Sequence, residues 1–237
     1  MVSESQAAEL PETITGSLNS EFGCELTYEV YEPRATPALR TVVLAHGFMR
    51  SLETMRGWAE HWRAHQLTTV LVSFCNSHLL NGHHQRNALD MIALRRHLEL
   101  AKVIYAGFSA GGLAAYLATL EDPQAAGYLG LDSVDSGRLA EDSAHTLAVP
   151  ALFLVADPSA CNAHNNMRRV IARQGYRSFE IEGATHCHFE SPYSPRCGWL
   201  CGRSTIEDTE RLQAQIMEQA TEWLLAEDTT PYGGHGQ

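Results

Sequence analysis

The sequence predicts an α/β protein: a mostly parallel central sheet with helices on both faces and no large cap domain. Three observations carry this prediction. Short β-branched, aliphatic and aromatic runs alternate with segments of helical spacing along most of the chain. Several of those runs, such as Thr41–Ala45 (TVVLA) and Ala151–Ala156 (ALFLVA), hold no strongly polar residue, as expected of strands buried on both faces by crossover helices. The chain also has 237 residues, 44% hydrophobic and 19% charged, enough for one domain to bury a core without staples. We read residues 1–237 as a single domain, with a core from about 26 to 225 between a loose N-terminus and a frayed PYGGHGQ tail.

The elements follow in order. Leu26–Val30 reads as an early strand and Thr41–Ala45 as a buried one. Leu52–His65 carries Met55, Ala59 and Trp62 at helical spacing, and Thr69–Phe74 is again a strand. Gln85–Leu100 is a helix with Ala88, Ile92, Arg95 and Leu98 marking its turns; Val103–Ala106 is a strand and Gly112–Leu120 the helix behind it. Tyr128–Leu131 and Ala151–Ala156 are two more strands. Ala163–Gln174 is a helix stopped by Gly175, and Ser178–Ile181 is the last strand. Ile206–Leu225 closes the chain as a long helix with Leu212, Ile216, Ala220 and Trp223 on one face. Its acidic start, Glu207–Glu210, suits the helix dipole. The longest connection between the late strands, Ser133–Thr146, is too short for a separate cap, so an open cleft is expected.

Charge and composition exclude several classes. A formal net charge of −11 without any basic run repels a phosphate backbone and disfavours nucleic acid. No apolar stretch approaches the roughly 18–20 residues of a membrane span. The N-terminus, MVSESQAAELPETI, shows no basic region followed by an apolar core, so a cytoplasmic location is expected, with secretion open where a signal has been removed. The six cysteines, Cys24, Cys75, Cys161, Cys187, Cys197 and Cys201, form no paired CxxC knuckles, so no metal is expected. They read as idle thiols in a cytosolic protein, with Cys197 and Cys201 close enough to close one small loop. His78, His83 and His84 match no ligand set and read as a polar loop near the cleft mouth.

Residues 103–112, Val-Ile-Tyr-Ala-Gly-Phe-Ser-Ala-Gly-Gly, run from a strand through Gly-x-Ser-x-Gly into a helix. Such a turn holds Ser109 at its apex with the hydroxyl off the sheet edge, and makes it the candidate nucleophile. A serine hydroxyl needs a base, and the turn after the last strand, Gly183-Ala184-Thr185-His186-Cys187-His188, supplies one. His186 is preferred to His188 on turn geometry. A developing oxyanion needs two backbone N–H donors. Ala110, opening the elbow helix, offers one; Phe48, in the His46-Gly47-Phe48 turn that ends an early strand, offers the other. Three aspartates stand after late strands as candidates for the acid: Asp132, Asp135 and Asp157. Phe48 and Phe108 are candidate walls of an acyl pocket.

VVLAHGF, GFSAGG, LDSVD at Leu131–Asp135, VPALFLVA and GATH together resemble the α/β-hydrolase superfamily from about Leu26 to Leu225. Within it they are most similar to the chlorophyllase and polyester-hydrolase (cutinase-like) branch. The resemblance implies a Ser-His-Asp esterase working through an acyl-enzyme, with no cofactor and no metal, on a small or polymeric ester. The superfamily pattern puts the acid at Asp157. The chlorophyllase-like D-x-V turn puts it at Asp132, and Asp157-Pro158-Ser159 lacks the second acidic residue of similar polyester hydrolases. Asp132 is therefore expected ahead of Asp157, and Asp135 third. Thioesterase, lactonase and peptidase chemistry fit the same residues. A non-catalytic binding protein of this fold fits less well, because nucleophile and base are both present.

Overall fold

The computed structural model describes residues 13–33, 37–75 and 82–226. His78 and the PYGGHGQ tail lie outside them. Among the described residues eight strands form one sheet: β1 (Ile14–Asn19), β2 (Glu25–Tyr31), β3 (Arg40–Ala45), β4 (Leu67–Ser73), β5 (Val103–Phe108), β6 (Ala125–Leu131), β7 (Ala151–Val155) and β8 (Arg177–Glu180). Their order is β1-β2-β4-β3-β5-β6-β7-β8. β1 and β2 pair antiparallel, as do β2 and β4; every pairing from β4 to β8 is parallel.

The helices are α1 (Arg56–Ala64), α2 (His84–His97), α3 (Ala110–Glu121), α4 (Arg168–Gln174), α5 (Pro195–Cys201) and α6 (Ile206–Leu225). Strand alternation sends neighbouring side chains to opposite faces, so each buried run feeds two cores. Val43 and Ala45 pack with Met91 of α2, Leu113 of α3 and Val170 of α4. Val42 and Leu44 pack with Trp58 and Trp62 of α1 and Ile216 of α6. Both faces are covered, which is why these strands are apolar throughout. The parallel strands all point the same way, so the turns after β3, β5, β6, β7 and β8 gather at one edge. No helix of the described residues is long and apolar enough to cross a membrane.

Several expectations change. The sheet begins at β1, which the sequence reading left outside the core; it is an edge strand with mostly exposed side chains, so its apolar signal is weak. The predicted helix at Ala163 starts only at Arg168, because Ala163, His164 and Asn165 all take left-handed conformations (φ 48°, 53° and 58°). His84 is not on a polar loop: it is the buried first residue of α2. The longest connection at the site edge follows β8 and carries α5, whose Ser194 cap accepts from the Cys197 N–H ahead of Pro195.

All six cysteines are bridged: Cys24–Cys75, Cys161–Cys201 and Cys187–Cys197. Cys197 and Cys201 are not joined to each other. One helical turn apart on the same side of α5, each is bridged to a different loop.

Candidate active site

Ser109 ends β5 and caps α3 with φ 56° and ψ −121°. A residue held there costs about 1–3 kcal/mol, so the surroundings must enforce it. Ser109 N–H bonds the Leu131 carbonyl at 3.0 Å, and its own carbonyl accepts from Val134 N–H at 3.1 Å. The flanking glycines have no room for a side chain. A Cβ on Gly107 would lie 2.3 Å from the Gly111 carbonyl oxygen, and one on Gly111 would lie 2.2 Å from the His46 carbonyl oxygen. Strand, elbow and helix therefore approach closely only because both positions lack Cβ.

The turn after β3 abuts this elbow. Phe48, Gly47, Ala110 and Gly111 line one small cavity there. Ala110 is the first residue of α3, so its N–H lacks an intrahelical partner and lies at the positive end of the dipole. His46 shapes the other side. Its Nε2 accepts from Phe74 N–H at 3.0 Å, which places the proton on Nδ1, 2.7 Å from the Gly47 carbonyl oxygen. Pinning that carbonyl turns the N–H of the same planar peptide, that of Phe48, the opposite way.

Burial pushes the His46 pKa down to about 4, so the ring stays neutral at ordinary pH. In the unfolded chain a histidine protonates near 6.5. The neutral, buried form thus contributes stability that is full above pH 6.5 and is lost as pH falls toward about 4, roughly 3 kcal/mol in all. Urea unfolding at pH 7 and pH 4 checks this: His46→Gln is expected to lose less stability over that interval than the parent.

His186 lies on a short 3-10 turn, His186–Phe189, after β8. Its Nε2 is 3.0 Å from Ser109 Oγ and its Nδ1 is 2.5 Å from Asp132 Oδ2. The Phe108 ring lies against the imidazole, with centroids 4.6 Å apart. Phe108 thus packs as a platform against His186. His188 serves the turn itself. Its Nδ1 accepts from Thr185 N–H at 2.8 Å, and its ring stacks on Tyr193. Burial lowers its pKa.

The structure separates the three aspartates. Asp132 (φ 44°) is 1% exposed and accepts from Ala156 N–H at 3.0 Å through Oδ1. Asp157 is exposed and accepts from Gly183 N–H at 3.0 Å, bracing the turn that carries His186. Asp135 accepts from Ala140 and Glu141 N–H at 3.0 and 2.9 Å. Two residues that the sequence reading passed over tie the loops together. Arg50, just beyond Phe48, pairs with the fully buried Glu190 at 2.5 Å. Trp58 Nε1 donates to the Phe189 carbonyl at 2.9 Å. No sequence pattern marks either pair, since the partners lie more than a hundred positions apart.

Compared by sequence, the chain matches no family model and no curated protein. Compared by structure, it is similar to a dienelactone hydrolase from Anabaena variabilis, with 18% identity, TM-score 0.66, and 92% of this chain and 98% of that one covered. Esterase 2 of Thermogutta terrifontis is similar at 15% identity and TM-score 0.63, with 93% and 97% covered. An alpha-beta serine hydrolase homologue from Coxiella burnetii is similar at 17% identity and TM-score 0.59, with 89% and 99% covered. Identities this low speak to architecture alone. Strand order, parallel crossovers and likeness to these structures over 89–93% of the chain establish that it has the α/β-hydrolase fold.

Proposed function

We propose that this chain is a serine hydrolase of carboxylic esters. The observation that carries this reading is the continuous hydrogen-bond chain from Ser109 Oγ through His186 to Asp132, with the serine held on a strained elbow. Ser109 Oγ attacks the ester carbonyl as His186 Nε2 takes its proton. Asp132 keeps the other ring proton on Nδ1 and stabilises the imidazolium. The oxyanion accepts from the N–H groups of Phe48 and Ala110. As the tetrahedral intermediate collapses, His186 protonates the departing alcohol. Water, deprotonated by His186, then cleaves the acyl-enzyme and restores Ser109. The cycle balances with water as the only co-reactant.

The connection after β8 is fastened near its start to α1 and the turn before it: Gly57 N–H bonds the Ser191 carbonyl, and Ser191 N–H bonds that of Thr54; its helix α5 is bridged to the loops after β7 and β8. Between β6 and β7, residues 132–150 hold one helical piece, the 3-10 turn Ser136–Arg138, too short for a cap, which favours an open cleft and bulky or polymeric esters. The likeness to chlorophyllases and polyester hydrolases rests on the sequence motifs. The dienelactone hydrolase neighbour favours lactones, as internal esters, for the same machinery. Three disulfides argue for an oxidising compartment. The related fold of Thermogutta esterase 2 is described phosphonylated by cyclosarin, which recommends an organophosphonate probe. Turnover of a short-chain p-nitrophenyl ester together with stoichiometric fluorophosphonate labelling at Ser109 is the expected result. A folded protein with neither would sink the reading.

A further inference from the structure

We propose that Asn162 is a positioning residue for the acid: its side-chain N–H holds the Asp132 carboxylate in the orientation that receives His186. This rests on the hydrolase reading above and adds a fourth side chain to it. Asn162 is fully buried. Its Nδ2 donates to Asp132 Oδ2 at 3.2 Å, close to Oδ1 at 3.4 Å, and to the Asp157 carbonyl at 2.9 Å. Its Oδ1 accepts from Ser159 N–H at 2.8 Å and Asn165 N–H at 3.3 Å. Every valence of the amide is used. The flipped amide would set its oxygen against a carboxylate and a carbonyl, and its NH2 against two N–H donors, so only one orientation fits.

The backbone is distorted to bring this amide there. Ala163 and His164 take left-handed conformations (φ 48° and 53°) that cost a side-chain-bearing residue about 1–2 kcal/mol each. They close the chain so that Asn165 N–H returns to Asn162 Oδ1. Asn165 Nδ2 anchors the far end on the Ala156 carbonyl at 2.8 Å. Cys161, the preceding residue, is bridged to Cys201 of α5, and Cys197 of α5 is bridged to Cys187, which follows His186. The loop supporting the acid and the loop bearing the base thus share one anchor. Asp132 itself is 1% exposed, so solvent does not replace a donor withdrawn from its carboxylate. Ala156 N–H holds Oδ1; Asn162 is the side chain that restrains Oδ2 against rotation away from His186.

Asn162→Asp keeps the shape and both acceptor contacts but removes the donor and adds a negative charge beside Asp132. The other charged groups near the pair are Glu190, matched by Arg50, and Asp157, turned to Gly183. The extra charge therefore acts on His186 through Asp132. We expect kcat, counted per fluorophosphonate-labelled Ser109, to fall about 10- to 100-fold, the scale of one hydrogen bond to a charged group, with KM unchanged. The acid limb of the pH–rate profile moves to higher pH, because added negative charge favours the imidazolium. Asn162→Ala should lower kcat without moving the limb upward. Asn166→Ala, which removes contacts to the Asp135 backbone on the same segment, should leave kcat unchanged. A parental kcat and acid limb in a folded Asn162→Asp, or a parental kcat in Asn162→Ala where the first variant does not fold, overturns the proposal. A parent protein that is neither active nor labelled overturns the hydrolase reading instead, so the two failures are distinct.

Discussion

Replacing Ser109 by alanine is expected to lower ester turnover about 10⁶-fold, the loss seen when a triad nucleophile is removed and only binding and oxyanion stabilisation remain. The fold should not register the change. The Ser109 hydroxyl bonds His186, whereas the elbow is held by backbone bonds to Leu131 and Val134 and by the two glycine contacts, all of which alanine retains. Melting temperature is expected to stay near the parental value while fluorophosphonate labelling disappears. Labelling at a different serine with activity intact in Ser109→Ala would move the nucleophile elsewhere. Loss of both activity and melting cooperativity would mean that the hydroxyl helps to build the elbow.

The elbow was legible because its constraint is local: a strained serine needs two glycines at fixed offsets, and a strand and helix must flank it. The Gly183–His188 turn was legible for a similar reason, since Gly183 takes φ 77° and the histidines follow at once. Choosing between His186 and His188 depends on which ring the Thr185 N–H captures, and that ring is His188. The choice among Asp132, Asp135 and Asp157 is not local. Each follows a strand, and each accepts backbone N–H bonds. They differ in where the neighbouring strand puts them relative to a histidine that lies 54 positions beyond Asp132. Strand β1 was missed because an edge strand buries too little for alternation to stand out. The disulfide pairing was missed because spacing favours Cys197 with Cys201, whereas the fold brings each of them a cysteine from another loop, Cys187 and Cys161, which no local pattern marks. Asn162 was invisible for the same kind of reason: an asparagine in a polar loop is ordinary until the left-handed residues behind it fold it under the sheet edge.

Asp132→Asn is expected to reduce kcat about 10⁴-fold, and Asp157→Asn by no more than a few fold. The reason lies in the donors that surround Asp132. Ala156 N–H points at Oδ1 from 3.0 Å and, in the variant, selects the amide oxygen for that place. The new NH2 is then directed at His186 Nδ1, where Asp132 Oδ2 had accepted at 2.5 Å. An N–H donor there requires Nδ1 to be the acceptor, so the ring proton moves to Nε2. A proton on Nε2 faces Ser109 Oγ across 3.0 Å and blocks the ring from taking the hydroxyl proton. Geometry survives while the tautomer is wrong. At Asp157 the substitution keeps an oxygen for Gly183 N–H, in a place open to solvent, so the turn bearing His186 stays as it is. The check is kcat for both variants on one p-nitrophenyl ester, with circular dichroism to establish that each is folded. The opposite ranking would place the acid after β7 and leave Asp132 as a buried turn residue held by Ala156 and Asn162.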